Sequence, residues 1–257
     1  MAILSVRDVT MQFGGLKAND HISFEVEHGV IFAVIGPNGA GKTTLFNVIS
    51  GFFPPTSGDV LFNGTSTTGL QQHEISSLGL VRTYQLVQLF NDLTVLDNVK
   101  IGCHRVTQGG VLSALWRPRW MKEQEEAVEH KARACLDFVG LGALAHMQAG
   151  QLPYGQQRLL EVARALAADP QLLMLDEPAA GLNVQETAAL ADVIERVHAR
   201  GVTVILVEHD MGLVMRVAQR MIVLDFGIKI AEGTPSEIRQ HPDVIAAYLG
   251  GTEAADA

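Results

Sequence analysis

Apolar and polar residues alternate from Ile3 to Thr10, and again from Ile22 to Glu27, where Ser23 and Glu25 separate Ile22, Phe24 and Val26. A period of two predicts half-buried strands, here parted by a turn at Phe13-Gly14-Gly15. Val30–Ile35 and Leu172–Leu175 are instead unbroken apolar runs of strand length, and Val202–Val207 is one interrupted only by Thr203. Such runs predict strands of a parallel sheet covered on both faces. Asp59–Phe62 is a short strand closed by the hairpin dipeptide Asn63-Gly64, and Gly79–Tyr84 is a further strand. Met221–Leu224 and Ile228–Ala231 read as a terminal pair.

Helical texture begins at Leu45–Ile49 and dominates from about 86 to 160. Asp92–Val99 has the character of a helix start. Met121–Val139 sets Val128, Ala132, Cys135 and Val139 on one face, with Gly140 as its C-cap. Leu159–Ala168 and Gln185–Ala199 are predicted helices of the returning core. Strands alternating with helices define an α/β class with a mostly parallel core sheet and an antiparallel β subdomain from the N-terminal third. The expected organisation is one domain over 1–250. Its core spans about 1–85 and 160–250, a helical subdomain is inserted over about 86–160, and 251–257 form a small, acidic, mobile tail.

Composition narrows the picture only a little. A chain of 257 residues, 47% hydrophobic and 18% charged, can bury a substantial core. The net charge of −9 argues against a general nucleic-acid binder, because phosphate backbones reward basic faces. Two cysteines, Cys103 and Cys135, form no close pair, so neither a disulfide framework nor a zinc site is expected. The N-terminus lacks the basic start and apolar core of a signal peptide, and no apolar run reaches the roughly 18 residues needed to span a bilayer. If a membrane matters to this chain, it is expected to matter through a partner.

The chemistry starts where the strand Val30–Ile35 runs into Gly36-Pro37-Asn38-Gly39-Ala40-Gly41-Lys42-Thr43-Thr44 and then a helix. This is G-x-x-x-x-G-K-[ST] in its strand–loop–helix setting. The glycines let successive backbone N–H groups point inward as a nest for phosphate oxygens, and the positive helix end adds to the field. Lys42 is expected to reach the β- and γ-phosphates and the Thr43 hydroxyl to ligate Mg²⁺. The sequence thus binds a nucleoside triphosphate. Asp176 ends the run Leu172–Leu175, at the sheet edge where ligands sit in open α/β folds, and fits a carboxylate holding Mg²⁺. Glu177, next along, is expected to orient or deprotonate the attacking water.

With these segments in view, the chain resembles an ATP-binding-cassette (ABC) nucleotide-binding domain over nearly its whole length. The resemblance implies a sensing glutamine, Gln85, which contacts Mg²⁺ and the attacking water, and a switch histidine, His209, at the γ-phosphate. It implies an aromatic, Phe13, stacked on adenine, and a signature segment, Leu152-Pro153-Tyr154-Gly155-Gln156-Gln157-Arg158. In the family that segment opens a helix laid against ATP held by the opposite subunit, so the site is shared between two cassettes. The usual signature is Leu-Ser-Gly-Gly-Gln. Pro153 replaces the serine and Tyr154 the first glycine, which leaves the N–H groups of Gly155 and Gln156 as donors to γ-phosphate. Asn183, in Ala180-Gly181-Leu182-Asn183, stands where the D-loop usually has aspartate.

The signature, together with Val81–Gln85, Pro178–Asn183, Glu208-His209-Asp210-Met211 and His241–Gly250, is similar to the LivG-type ATPases of bacterial branched-chain amino-acid importers. That similarity implies ATP and Mg²⁺ as cofactors and a peripheral place on the cytoplasmic face of the inner membrane. The implied partners are a second cassette (its own copy in isolation, or a LivF-type subunit in the complex), two integral-membrane permeases and, indirectly, a substrate-binding protein; nucleic acid is not among them. Urea or amide import, lipopolysaccharide export and a soluble non-transport ATPase are the competing readings. The tract Leu112–Trp120, with both tryptophans around Arg117-Pro118-Arg119, is expected either near the membrane or permease or packed within the helical subdomain.

Overall fold

The computed structural model describes residues 2–103 and 119–250, without the side chains of 119–121, 249 and 250. The tract Leu112–Trp120 and the tail 251–257 thus fall outside the described side chains. Contacts divide the chain into two units, Met1–Arg82 with Gln171–Ala257, and Thr83–Pro170.

The first unit carries two sheets. The alternating N-terminal segments form β1 (Ala2–Phe13) and β2 (Leu16–Glu27), which pair antiparallel. With β4 (Ser57–Phe62) and β5 (Thr65–Ser66), joined by the Asn63-Gly64 turn, they make a four-stranded antiparallel sheet ordered β2-β1-β4-β5. The apolar runs become β3 (Ile31–Ile35), β7 (Leu172–Asp176) and β8 (Thr203–Val207), every residue buried. With β6 (Leu80–Arg82), β9 (Arg220–Asp225) and β10 (Ile228–Gly233) they form a six-stranded sheet ordered β10-β9-β3-β8-β7-β6. Only β10 runs antiparallel to its neighbour. Side chains of both sheets close one core, in which Phe24 of β2 stacks on Phe32 of β3 with ring centroids 5.5 Å apart.

Helices of this unit are α1 (Lys42–Ile49), α2 (Gln72–Leu78), α6 (Val184–Ala199), α7 (Met211–Val217), α8 (Pro235–Arg239) and α9 (Pro242–Gly250). In the second unit, α3 (Val95–Gly102), α4 (Arg119–Val139) and α5 (Tyr154–Leu166) pack on one another. Thr94 caps α3 by accepting from the Asp97 amide. Val128 is half-buried and Ala132, Cys135 and Val139 are buried on the predicted face of α4, and Gly140 ends that helix with φ +81°.

Two expectations shift. The strand foreseen over Gly79–Tyr84 is only Leu80–Arg82, because the carbonyls of Tyr84 and Gln85 accept from the Arg158 side chain rather than from a neighbouring strand. The helix foreseen over Leu159–Ala168 begins at Tyr154, so the signature segment lies inside its first turns.

Candidate phosphate-binding site

The loop between β3 and α1 is tight. Gly36 has φ +150° and Gly41 φ +93°. A methyl group on Gly36 would meet the Leu224 carbonyl oxygen at 2.1 Å, and one on Gly41 the Ala18 carbonyl oxygen at 2.2 Å. No side chain could occupy either position without moving backbone, so the glycines are required by space as well as by conformation. Asn19, fully buried, fixes the loop from behind through a 3.1 Å bond from its side-chain amide to the Gly41 carbonyl. No side chain caps the first turn of α1, which leaves its N–H groups to an anion.

Lys42 is buried, and its Nζ donates to the carbonyls of Gly36 and Pro37 at 2.8 and 2.9 Å. Burial lowers its pKa, and the Glu177 carboxylate works in the opposite direction. A cleft of about 490 Å³ opens over this loop, lined by Asn38 to Thr44, Glu177, and the apolar Leu16, Ala18 and Phe226. Phe13 does not line it. Its ring is 45% exposed and meets Phe53 edge-on, centroids 5.7 Å apart.

The carboxyl ends of β7 and β8 complete the edge. Asp176 is 2% exposed; its Oδ2 accepts from Arg82 Nη2 at 2.6 Å, while its buried Oδ1 has no partner. Glu177 follows with φ +44°, a strained conformation for a side-chain-bearing residue, held by a bond from its N–H to the Val207 carbonyl. That strain turns the chain sharply at the sheet edge. His209 is largely exposed, with Nδ1 4.0 Å from Glu177 Oε2. Asn183 caps α6, accepting from the amides of Gln185 and Glu186 while Glu186 returns a bond to its own N–H. An asparagine is well suited to that cap.

Two charged residues here were not picked out in the sequence. Glu208 is fully buried and accepts from three backbone amides: Ala179 at 2.7 Å, His209 at 3.0 Å and Asp210 at 3.2 Å. It fastens the segment after Glu177 to the segment carrying His209. Burial pushes its pKa up, against those three bonds. Arg82 is the second. A carboxylate beside His209 and an arginine three residues before Gln85 were the available signals, and both stood inside segments singled out for their family resemblance.

In the second unit, Pro153 is the N-cap of α5 and Gly155 is buried in its first turn. Tyr154 is exposed and carries the Arg158 guanidinium over its ring at 5.4 Å. Arg158 donates to the carbonyls of Tyr84 and Gln85 at 3.2 and 2.5 Å and to Glu161 at 3.2 Å. Glu161 in turn accepts from the Gln88 amide at 3.0 Å, and Arg164 donates to the Gln88 carbonyl at 2.6 Å. The backbone after Gln85 is thereby fixed to the helix that carries Gly155 and Gln156, whose side chain is half-buried.

Comparison with known proteins decides the family. The family model described as ABC transporter matches residues 19–180. The chain belongs to the ABC transporter family. A second model, described as branched-chain amino acid ATP-binding cassette transporter, matches residues 229–254. The cassette is 45% identical to the high-affinity branched-chain amino acid transport ATP-binding protein BraF of Pseudomonas aeruginosa, over 96% of this chain and 98% of that one. It is 44% identical to the corresponding protein LivG of Escherichia coli K12, with the same coverage. Among solved structures it is similar to the ADP conformation of an ATP-binding cassette of an ABC transporter, with TM-score 0.85 and 34% identity over 97% of this chain and 99% of that one. The α/β cassette fold and the ATPase class expected from the sequence are thus those of the family.

Proposed function

We propose that this cassette is the ATP-hydrolysing subunit of an importer for branched-chain amino acids. The observation that carries the hydrolytic half is the convergence of one strained edge. Lys42 on the phosphate loop, Asp176 and Glu177 at the end of β7, and His209 after β8 all belong to the carboxyl ends of adjacent strands. The cargo half rests on the 44–45% identity to proteins named for branched-chain amino acid transport. Among the described residues no helix is long and apolar enough to cross a membrane. In this reading the cassette is a peripheral subunit docked on two permeases at the cytoplasmic face, in keeping with relatives named for branched-chain amino acid transport.

In this reading the N–H groups from Gly36 through Thr44, with Lys42, bind the phosphates, and the apolar Leu16, Ala18 and Phe226 of the cleft take the base, with the exposed Phe13 ring, which does not line the cleft, as the stacking aromatic. The residues present in the first unit suit Mg²⁺: the Thr43 hydroxyl and Asp176 are hard oxygen donors, and Asp176 Oδ1 is buried with no other partner. Bound there, Mg²⁺ supplies charge neutralisation at the β- and γ-phosphates. Glu177 accepts the proton of the attacking water, and His209, held beside it by Glu208, orients the γ-phosphate. The amides of Gly155 and Gln156 of a second cassette complete the site. That cassette is its own copy in isolation and a LivF-type subunit in the assembled importer. A substrate-binding protein delivers cargo to the permeases and touches the cassettes only through them.

The test is Glu177→Gln. It should abolish turnover while nucleotide affinity, read by calorimetry, is retained. Continued steady-state hydrolysis would overturn the assignment of the base. For the cargo, vesicles reconstituted with the native permeases should accumulate labelled leucine but neither urea nor glutamate.

A further inference from the structure

Arg82 is buried to the same degree as its partner, with 5% of its side chain exposed against 2% for Asp176. Besides its 2.6 Å bond to Asp176 Oδ2, it donates from Nη1 to Asn47 Oδ1 and Ser50 Oγ, each at 2.8 Å. Its guanidinium carbon lies 5.7 Å from the centre of the Phe46 ring. Phe46 and Asn47 belong to α1, the helix that opens with Lys42, and Ser50 is its C-cap. One cation therefore ties the end of the phosphate-loop helix to the carboxylate at the end of β7. An arginine does not deprotonate, and a buried carboxylate needs a counter-charge. Pairing also leaves Asp176 asymmetric: Oδ2 is taken and Oδ1 is buried and unpartnered, which is rare for a polar atom in a folded protein.

We propose that Arg82 is the resident counter-ion of Asp176 and that it governs when the site takes a divalent cation. The inference rests on the assignment of Asp176 to Mg²⁺. Two consequences follow from the geometry. Held through Oδ2, the carboxylate presents Oδ1 alone, so Arg82 is a positioning residue for the metal. The guanidinium charge also offsets the carboxylate, so Asp176 by itself attracts a dication weakly, and the metal is held well only when nucleotide phosphates add their negative charge. The cassette then does not fill with metal in the absence of ATP. The charge that guards Asp176 sits three residues before Gln85, on the segment leading to the sensing glutamine.

Mn²⁺ alone is the probe, followed by electron paramagnetic resonance and by melting temperature without nucleotide. Wild type and Arg82→Lys, which keeps the charge, should bind Mn²⁺ weakly and within about threefold of each other. Arg82→Gln should bind Mn²⁺ at least about tenfold more tightly, and Mn²⁺ should raise its melting temperature by more than that of wild type. If Arg82→Gln folds only when Mn²⁺ is supplied, the ion has replaced the missing counter-charge and the proposal stands. If Arg82→Gln shows no gain in affinity, or fails to fold with or without Mn²⁺, Arg82 is a structural residue and the proposal falls. The gain should vanish in Arg82→Gln/Asp176→Asn; a gain that persists there places the ion elsewhere and also overturns it. Asp176→Asn alone separates the two layers. Unchanged nucleotide-dependent Mn²⁺ binding would remove the metal assignment itself. Loss of that binding, with no gain in Arg82→Gln, would remove only the role of Arg82.

Discussion

At the scale of single residues, the site is made by groups that have no room to be anything else. Gly36→Ala places a methyl group 2.1 Å from the Leu224 carbonyl oxygen, a clash with backbone rather than with a flexible side chain. It should destabilise the fold by about 3 kcal/mol or more and abolish nucleotide binding, as read by urea unfolding and calorimetry. Glu208 is the other such residue. Glu208→Ala leaves three buried amides without an acceptor and should cost about 2–4 kcal/mol, with kcat falling because Glu177 and His209 lose their common anchor. Glu208→Gln tests the sign of its ionisation. Burial raises the folded pKa above the ordinary 4.5, so the protonated fold is favoured. Its contribution is full below the unfolded value and is lost as pH rises through the folded one. As pH rises above the ordinary 4.5, wild type should therefore lose stability relative to Glu208→Gln; a difference that stays constant with pH would contradict the assignment.

At the scale of elements, legibility followed the kind of force involved. The strands β1, β3, β7 and β8 are set by burial, and burial is written in the order of apolar residues, so they were readable to within a few residues at each end; β2 starts at Leu16, six residues before the alternating run Ile22–Glu27. The start of α5 was not. Its N-cap is Pro153, which offers no side-chain oxygen, so the usual sign of a helix start is missing although Pro153 still sends its carbonyl to the Gln157 amide. By contrast α8 carried its sign openly: Thr234 and Glu237 form a capping box around Pro235, a pattern that sequence inspection could have found. The phosphate loop was fully legible because its motif is local. The pairs Arg82–Asp176 and Arg158–Gln85 were not, because they join residues 94 and 73 positions apart. Removing the cap of α6 through Asn183→Ala should cost about 1 kcal/mol in a denaturant titration, since two amides lose their acceptor.

At the scale of the whole molecule, one cassette holds the loop, the carboxylates and the histidine of one site, and the N-terminus of α5 that serves another. In the proposed mechanism catalysis would then belong to a pair of cassettes rather than to one. Pro153 is the N-cap of α5 and offers no hydroxyl, so in this mechanism a backbone N–H would have to do what the serine of the usual signature does. The most direct measurement of this claim is the steady-state ATPase rate of the purified cassette as a function of its own concentration at saturating Mg-ATP. A shared site predicts a rate that rises more steeply than in proportion to concentration until dimers dominate. A rate strictly proportional to concentration over the whole range, with the protein monomeric throughout, would contradict it.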